Sequence, residues 1–192
     1  MTDISEPTST SGGGIVRGGS RSPSGGANES SLSELARALR RRWPTGVAIA
    51  IAREPNGAFR GVAVSSLMML SLDPPSLAIA LATEGSFHEV LEVSAAFTIS
   101  ILDREQEFLS ERFAGRAPVP DATFSGIPFD LVNEILPVIR RSLAWCRCEV
   151  IYQQEQGDHI LVIAAIREGD LGPDTDDPLL NFEAQYRGLE PR

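Results

Sequence analysis

Residues 61–75 read Gly-Val-Ala-Val-Ser-Ser-Leu-Met-Met-Leu-Ser-Leu-Asp-Pro-Pro, and this stretch is the most informative part of the chain for predicting the fold. Its first half predicts an apolar strand that ends in the hydroxyl residues Ser65 and Ser66. A short apolar turn is expected next, followed by Ser71 and a stop at Asp73-Pro-Pro75. Small residues at a strand end allow a flat ligand to lie against the backbone, where N–H and hydroxyl groups can recognise its polar edge. We therefore expect a ligand-binding segment here.

Length and composition predict one folded domain behind an N-terminal tail. The chain has 192 residues, 42% of them hydrophobic, which is enough for one well-filled core and too little for two. Residues 1–29 are rich in Ser, Gly and Thr, so we expect them to be disordered. The domain is expected to cover residues 30–192 and to begin with a helix at a capping box, Ser31–Glu34. The apolar residues of that helix predict a buried face formed by Leu32, Leu35, Ala36 and Leu39.

Charge and cysteine content exclude several classes of function. The net charge of −9 argues against a nucleic-acid-binding protein, because phosphate neutralisation needs clustered Lys and Arg. No apolar run of about 18 residues or signal-peptide core is present, so we expect a chain that is neither membrane-spanning nor exported. Cys146 and Cys148 have poor spacing for a disulfide, and with His88 and His159 they form no zinc signature. These features favour free, buried thiols in the cytoplasm and no bound metal.

The remaining pattern predicts an antiparallel barrel with a few short helices. Turn signals at Pro55-Asn-Gly57 and at residues 155–158 predict hairpins. Two further helices are expected, one beginning at Phe87 and one capped by Asp103, the latter with an inward face of Phe108, Leu109 and Phe113. Strands and helices do not alternate regularly, which disfavours a parallel doubly wound sheet. The predicted strands are Gly46–Ala52, Arg60–Ser65, Leu77–Leu81, Ala96–Leu102, Leu143–Gln153 and His159–Arg167, and residues 115–137 receive no assignment.

Three places carry polar groups for which the residues alone leave two interpretations open. Ser86 either caps its own helix, with Glu89 completing a capping box, or leaves the first amides of the helix free to bind an anion. The segment Phe113–Arg116 is either an ordinary helix C-terminus or a phosphate clamp formed by Arg116 and exposed backbone. His159 either bonds a local carbonyl or donates a hydrogen bond to a ligand.

Taken together, these segments resemble the flavin reductase family, which supplies reduced flavin to two-component flavin-dependent monooxygenases. The resemblance covers about residues 32–189, nearly everything outside the tail. Its motifs follow the order of the family: Trp43-Pro-Thr-Gly-Val47, Gly61–Ser66, Ser71-Leu-Asp-Pro-Pro75, Gly85-Ser86, Phe113-Ala114 and Gly157-Asp-His159. The chain departs from the family at Phe87-His88, after the serine of the phosphate turn, and at Phe97-Thr-Ile-Ser100, where many members carry Val-Asn.

The resemblance implies a split β-barrel with Greek-key connections, assembled as a homodimer that binds FAD or FMN near the subunit interface. It also implies contacts to the isoalloxazine from Thr45, Val64, Ser65 and Ser66, and a contact to the flavin side chain from Ser71. Phosphate binding is implied for Ser86, Phe113, Ala114 and Arg116. The same resemblance places Gly157 and His159 on the nicotinamide side, His159 being the family's nicotinamide-side histidine.

The expected activity is therefore hydride transfer from a nicotinamide cofactor to FAD or FMN, with reduced flavin passing to a partner monooxygenase. NADH is favoured over NADPH because no cluster of cations surrounds the Gly157–His159 turn. Two alternatives remain. One is a non-catalytic flavin-binding module with the same barrel, and the other is a substrate-oxidising flavoenzyme related to the pyridoxamine-phosphate oxidase barrels.

Overall fold

The structure, a computed structural model, describes residues 26–115, 124–173 and 177–189. Within these ranges the helical elements are α1 (Gly26–Arg41), α2 (Phe87–Ser94), a 3₁₀ turn (Arg104–Gln106) and α3 (Glu107–Phe113). The strands are β1 (Thr45–Gly46), β2 (Ala48–Arg53), β3 (Phe59–Val64), β4 (Met68–Leu72), β5 (Pro75–Ala82), β6 (Ala96–Ile101), β7 (Phe129–Val132), β8 (Leu136–Ile139), β9 (Ala144–Gln156), β10 (His159–Leu171), β11 (Leu180–Phe182) and β12 (Gln185–Arg187). None of the helices in these ranges has the length and apolar character needed to cross a membrane.

A seven-stranded antiparallel sheet with the order β3-β2-β6-β9-β10-β5-β4 forms the body of the molecule. Two smaller sheets, β1-β11-β12 and β7-β8, accompany it. The predicted mainly β, antiparallel class with few helices is confirmed. Both predicted hairpins also form, because Arg53 pairs with Phe59 across the first turn and Gln156 pairs with His159 across the second. Strands β3 and β4 are the two ends of the seven-stranded sheet, and no backbone ladder among the described residues joins them.

The core lies on both faces of β2, whose first five residues are buried. On one face Ala48, Ala50 and Ala52 pack with α2 and with the apolar side chains of β5, β6 and β10. On the other face the isoleucines and Val47 pack with α3. Because successive residues of a strand point to opposite faces, β2 contributes to two apolar layers at once. Strand β3 pairs with β2 at the edge of the sheet, and its side chains alternate between the same two apolar layers.

Helix α1 differs from its prediction in both start and environment. It begins at Gly26, so residues 26–29 are helical rather than part of a tail, and the Ser31–Glu34 capping box lies inside the helix instead of at its start. The predicted buried face is wrong, since Leu32, Leu35 and Leu39 are 59%, 53% and 61% exposed. The helical spacing of apolar residues is a local property of the sequence, whereas their burial requires another element that packs against them. Within the described ranges, no element of the same chain buries this face.

Several smaller expectations are also corrected. The apolar turn after Ser66 is in fact strand β4, which pairs with β5 to form an edge strand. Phe108, predicted to face inward, is 58% exposed, while its neighbours on α3, Leu109 and Phe113, are buried as predicted. The unassigned segment contains β7 and the start of β8. Two prolines in the described part of that segment, Pro128 and Pro137, obscured its short apolar alternation.

The two cysteines lie on β9 as free thiols, as the sequence predicted. Their Sγ atoms are 3.6 Å apart, and Cys148 is fully buried while Cys146 is half-buried. The hydrogen bond shared with Cys146, together with burial, raises the pKa of the Cys148 thiol far above its ordinary value. Cys148 is therefore an unreactive core residue at neutral pH.

Candidate functional site

Two serine hydroxyls lie at the end of β3, and only the hydroxyl of Ser66 is hydrogen-bonded within the protein. The Ser66 hydroxyl donates to the Ala80 carbonyl at 2.9 Å and accepts from the Ala80 N–H at 3.0 Å. It thus joins the end of β3 to β5 at a point where no ladder connects the two strands. The half-buried Ser65 hydroxyl forms no hydrogen bond with any residue that the structure describes. Of these two predicted contacts, Ser65 has a hydroxyl that is free to bind a ligand. The hydroxyl of Ser66 is already bonded, so Ser66 would contact a ligand mainly through its backbone groups.

Thr45 and Val64 lie at the same end of the β2–β3 ladder as Ser65. Val64 is buried and pairs with Ala48, three residues after Thr45. Thr45 itself pairs with Asn181 of β11 and is half-buried. Within the described part of the chain its hydroxyl has no hydrogen-bond partner. Three of the four residues predicted to line a flat ring are therefore brought together with the fourth, Ser66, at one end of β3.

His159 lies near this end of β3, across β5. It opens β10 and pairs with Ala82, two residues after the Ala80 that holds Ser66. Its Nδ1 is 2.7 Å from the carboxylate of Asp158, and this hydrogen bond holds the pKa of Asp158 below its usual range. The carboxylate fixes the orientation of the imidazole, so the Nε2 side of the ring is the side presented to a ligand.

The turn that carries His159 is anchored to the segment leading into α2. Gly157 has a φ of +62°, a conformation that favours glycine in a two-residue hairpin loop. The carbonyl of Asp158 accepts hydrogen bonds from the Thr83 N–H at 3.0 Å and from the Thr83 hydroxyl at 3.1 Å. Thr83 lies three residues before Ser86. The predicted nicotinamide side and the predicted phosphate turn are therefore held to each other by direct hydrogen bonds.

Ser86 does not cap its helix, and the predicted capping box with Glu89 is wrong. Ser86 occupies the N-cap position of α2, but its side chain forms no cap hydrogen bond. Instead the exposed hydroxyl accepts a hydrogen bond from Nη1 of Arg60 at 3.2 Å. A charged donor forms the stronger hydrogen bond, so the hydroxyl turns toward Arg60 rather than toward the backbone. The side chain therefore leaves the first amides of α2 uncapped.

Arg60 is the principal residue at this site that was not predicted from the sequence. Its Nε and Nη2 both lie 2.5 Å from Oε1 of Glu54, and Oε2 of Glu54 accepts from Asn56 Nδ2 at 3.0 Å. The hydrogen bond from Arg60, with a smaller one from Asn56, lowers the pKa of Glu54. The signal was present in the strand pattern, because Arg60 has the same parity as the core-facing Val62 and Val64. A cation on the apolar face of a strand calls for a specific partner.

Phe113 approaches β3 from the opposite face. A Cβ added to Gly61 would lie 2.6 Å from Phe113 Cε1, so the ring packs directly on the glycine backbone. Ala114 is exposed at the C-terminus of α3, and Gly115 follows with a φ of +71°. Arg116 lies outside the described residues. The start of α2 and the end of α3 therefore flank edge strand β3 from its two faces, at Arg60 and Gly61 respectively.

Ser71 is not brought to this group within one chain. It pairs with Ser76, near the start of β5, whereas His159 pairs with Ala82 at the end of β5. Six strand residues span about 20 Å. The Ser71 hydroxyl accepts a hydrogen bond from the Asp73 N–H at 3.2 Å, which organises the turn before β5. Its contact to a flavin side chain stays a prediction.

One buried polar atom near the phosphate turn is unsatisfied. Nδ1 of His88, in the first turn of α2, is inaccessible to solvent and has no hydrogen-bond partner among the described residues. Such orphaned atoms are rare in folded proteins and are commonly paired by a water or a ligand. This atom is inaccessible to a ligand, and it is the uncapped start of α2 together with Arg60 that fits a phosphate-bearing ligand. In the three described ranges, no group of three or more His, Cys, Asp or Glu side chains is placed to hold a metal ion.

Comparison with known proteins gives a consistent family. The family model described as "Flavin reductase like domain" matches residues 40–190. The chain is 34% identical over 147 residues to the NADH-dependent flavin reductase StyB of Pseudomonas fluorescens, covering 76% of this chain and 84% of the relative. It is 36% identical over 148 residues to the reductase component of 4-hydroxyphenylacetate 3-monooxygenase of Thermus thermophilus, covering 77% and 91%. The solved structure of the flavin reductase PheA2 superposes with a TM-score of 0.74 at 29% identity, covering 82% of this chain and 98% of that one.

Proposed function

Because this chain belongs to the flavin reductase-like domain family, we propose that it is an NADH-dependent flavin reductase that transfers hydride to FAD or FMN. The reduced flavin is passed to a partner monooxygenase, as the name of the Thermus thermophilus relative suggests. One structural observation carries the proposal at the level of the site. Strand β3 has free ring-recognition groups at one end and a paired cation, Arg60, beside Ser86 at the other.

The dimensions of β3 suit an elongated ligand with a ring at one end and a phosphate at the other. Arg60 and Val64 share one face of β3 and are four residues apart, which corresponds to about 13 Å of extended strand. At the ring end, the hydroxyls of Thr45 and Ser65 bind polar ring atoms, and the buried Val64 supplies a small apolar contact. At the phosphate end, Ser86 and the amides of α2 bind the anion. Phe113 shapes the opposite face of the strand at Gly61.

The chain contributes orientation and electrostatics rather than acid–base groups. When bound, the flavin supplies the hydride-accepting ring and the nicotinamide supplies the hydride. Backbone N–H groups at Val64–Ser66 stabilise negative charge at the polar edge of the ring. His159, oriented by Asp158, positions the nicotinamide from the start of β10, next to the end of β5. Neither role requires a change in the protonation of the protein.

The proposal also covers the closure of the sheet, the oligomeric state and the cellular location. The sheet forms a split barrel, supported by Ser66, whose hydroxyl bridges the end of β3 to β5, two strands that no ladder joins. Two copies form a homodimer, supported by the exposed leucines of α1, which gain a partner if a second chain covers them. The cytoplasm is the proposed location, supported by two free cysteines in a chain whose described part has no disulfide.

Steady-state oxidation of NADH and NADPH, each with FAD, FMN and riboflavin, tests the function. We expect NADH oxidation that depends on added flavin, with NADPH the poorer donor. A protein that binds flavin without oxidising either nucleotide would instead be the non-catalytic module. Oxidation of an added organic substrate, without nucleotide, would point to the pyridoxamine-phosphate oxidase type. Absence of turnover in every nucleotide–flavin pair contradicts the proposal.

A further inference from the structure

We propose that Arg60 is a specificity-determining residue that recognises the phosphate on the flavin side chain, and that Glu54 positions it for this task. The inference rests on the proposed function, because it assigns a ligand group to the site described above. It adds a cation on β3 to the phosphate contacts that the sequence predicted at Ser86 and at Phe113–Arg116. The ligand class is a phosphate ester of the flavin ribityl chain, present in FMN and FAD and missing from riboflavin.

The geometry of the guanidinium leaves one edge for an anion. Glu54 accepts from Nε and Nη2 along one edge of Arg60, while Nη1 donates to the Ser86 hydroxyl. A guanidinium carries five N–H donors in a fixed plane, so two donors remain after these three contacts. They lie on the nitrogens Nη1 and Nη2, next to Ser86. The Arg60 side chain is 38% exposed, which leaves this edge accessible from solvent.

The charges around Ser86 argue for an anion rather than for a purely structural ion pair. The start of α2 carries the positive end of the helix dipole, and the Ser86 side chain does not cap it. Arg60 brings a second positive group to the same point through its bond to Ser86. Glu54 balances Arg60 but is bonded along the far edge of the guanidinium. A phosphate at Ser86 would satisfy both positive groups at once.

Glu54 is itself held in place, which gives Arg60 a defined orientation before any ligand binds. Its side chain is only 16% exposed, and Asn56 donates to its second carboxylate oxygen. The Glu54 N–H donates to the Ala58 carbonyl, and the Gly57 N–H donates to the Glu54 carbonyl, so the hairpin turn fixes the backbone as well. A pre-oriented guanidinium loses less conformational entropy when it binds an oxyanion. Glu54 is thus a positioning residue and Arg60 the residue that contacts the ligand.

The test compares the affinity for FMN with the affinity for riboflavin. Because riboflavin lacks the phosphate, the comparison measures how much the phosphate contributes to binding in each variant. Dissociation constants are measured by quenching of flavin fluorescence, which does not depend on turnover. We expect Arg60→Met to weaken FMN binding about tenfold, in the range of a charge-assisted hydrogen bond at a partly exposed site, and to leave riboflavin binding unchanged. Arg60→Lys should weaken FMN binding less, because it keeps the charge without the planar fork.

Two further variants control for indirect effects. Arg53→Met removes a cation from the same hairpin but from the opposite face of the sheet, since Arg53 pairs with Phe59. It should change neither affinity. The double variant Glu54→Gln/Arg60→Met removes the carboxylate that would otherwise be left unpaired beside the phosphate. It should retain most of the selective loss of FMN affinity. If Arg60→Met does not fold, as judged by thermal melting, Arg60→Lys and the double variant provide the comparison.

The outcomes separate this inference from the proposed function. Equal changes in FMN and riboflavin affinity, or no change in either, would overturn the role of Arg60. If the double variant loses its preference for FMN and Arg60→Lys keeps it, the positive charge alone recognises the phosphate. That result supports the role of residue 60 and contradicts the proposal that Glu54 orients the guanidinium for binding. A wild-type protein that binds FMN more tightly than riboflavin but oxidises no nucleotide contradicts the reductase activity and leaves the assignment of Arg60 intact.

Discussion

The starts of α2 and of the 3₁₀ turn before α3 both carry a residue that local rules identify as a helix cap, yet they use it differently. At the second start, Asp103 Oδ1 accepts from the Glu105 N–H at 2.8 Å, and Gln106 Oε1 accepts from the Asp103 N–H at 3.0 Å. This reciprocal pair is a complete capping box. At the start of α2, the Ser86 hydroxyl accepts instead from Arg60, which is 26 residues away in sequence.

The difference separates a helix start that is satisfied within the chain from one whose first amides are left uncapped by its side chain. Asp103 uses its side chain to satisfy the backbone of its own helix, so this end is complete without a ligand. Ser86 has the same opportunity, with Glu89 at the proper spacing, but a charged donor from β3 competes for its hydroxyl. The amides at the start of α2 are then left for an external acceptor. Three predictions test this contrast, from the largest expected effect to the smallest.

The largest effect is expected where the other end of α3 packs on β3. Gly61→Ala should lower the free energy of unfolding by about 1–3 kcal/mol, because its Cβ would lie 2.6 Å from the Phe113 ring. Urea unfolding measures the change. Gly46→Ala is the matched control, since a Cβ added there meets nothing within 4 Å. Equal losses in the two variants would contradict the packing of α3 on the Gly61 backbone.

The two helix starts should respond differently to loss of their polar side chains. Asp103→Ala should lower the free energy of unfolding by about 1 kcal/mol, the ordinary cost of removing a cap. Ser86→Ala removes no cap and should cost less than about 0.5 kcal/mol, while weakening FMN binding about threefold. Urea unfolding and fluorescence quenching give the two quantities. If Ser86→Ala were as destabilising as Asp103→Ala, Ser86 would be a structural cap and the contrast would fail.

The smallest effect is a pH dependence of the Glu54–Arg60 pair. The pKa of Glu54 is lowered from its ordinary 4.5 in the folded state by the hydrogen bond from Arg60. Its contribution to stability is therefore complete above the unfolded-state pKa and is lost as pH falls through the lowered folded-state pKa. Glu54→Gln should cost no more than about 1 kcal/mol at pH 7, because the pair is partly exposed. In urea unfolding, the gap to wild type should narrow as the pH falls below 4.5 and through the lowered folded-state pKa, and a gap that does not change with pH would assign the effect to packing.

Much of the fold could be predicted because its signals are local. The Pro55-Asn-Gly57 and Gly157-Asp158 turns specify hairpins through their own backbone preferences, and both form. The main strands are also found within a few residues of their predicted ends. Family membership, inferred from short motifs in their expected order, is confirmed by the match over residues 40–190. Strand β4 was missed because its run of apolar residues lacks the alternation that marks a strand.

The site could be predicted only in part. The family resemblance assigned Thr45, Val64 and Ser65 to one ligand ring, and the structure places all three at one end of the β2–β3 hairpin, although their contacts to a flavin stay a prediction. It did not identify Arg60 as a partner of Ser86, because that pairing depends on how α2 packs across β3. Nor did it anticipate that the Ser66 hydroxyl is committed to Ala80, 14 residues further along the chain. The contributions of Ser71 and Arg116 to flavin binding stay predictions.

The sequence by itself determined six strands of the large sheet, its two hairpins and the polar strand end at Ser65 and Ser66, because these depend on side-chain alternation and on turn preferences within a few residues. Only the tertiary structure decided how each polar group is used. Ser66 bridges two strands, Ser86 binds Arg60, and Asp103 caps its own helix, although all three have short oxygen-bearing side chains. A hydroxyl or carboxylate bonds the strongest donor within reach, and which donor lies within reach is set by packing between distant segments.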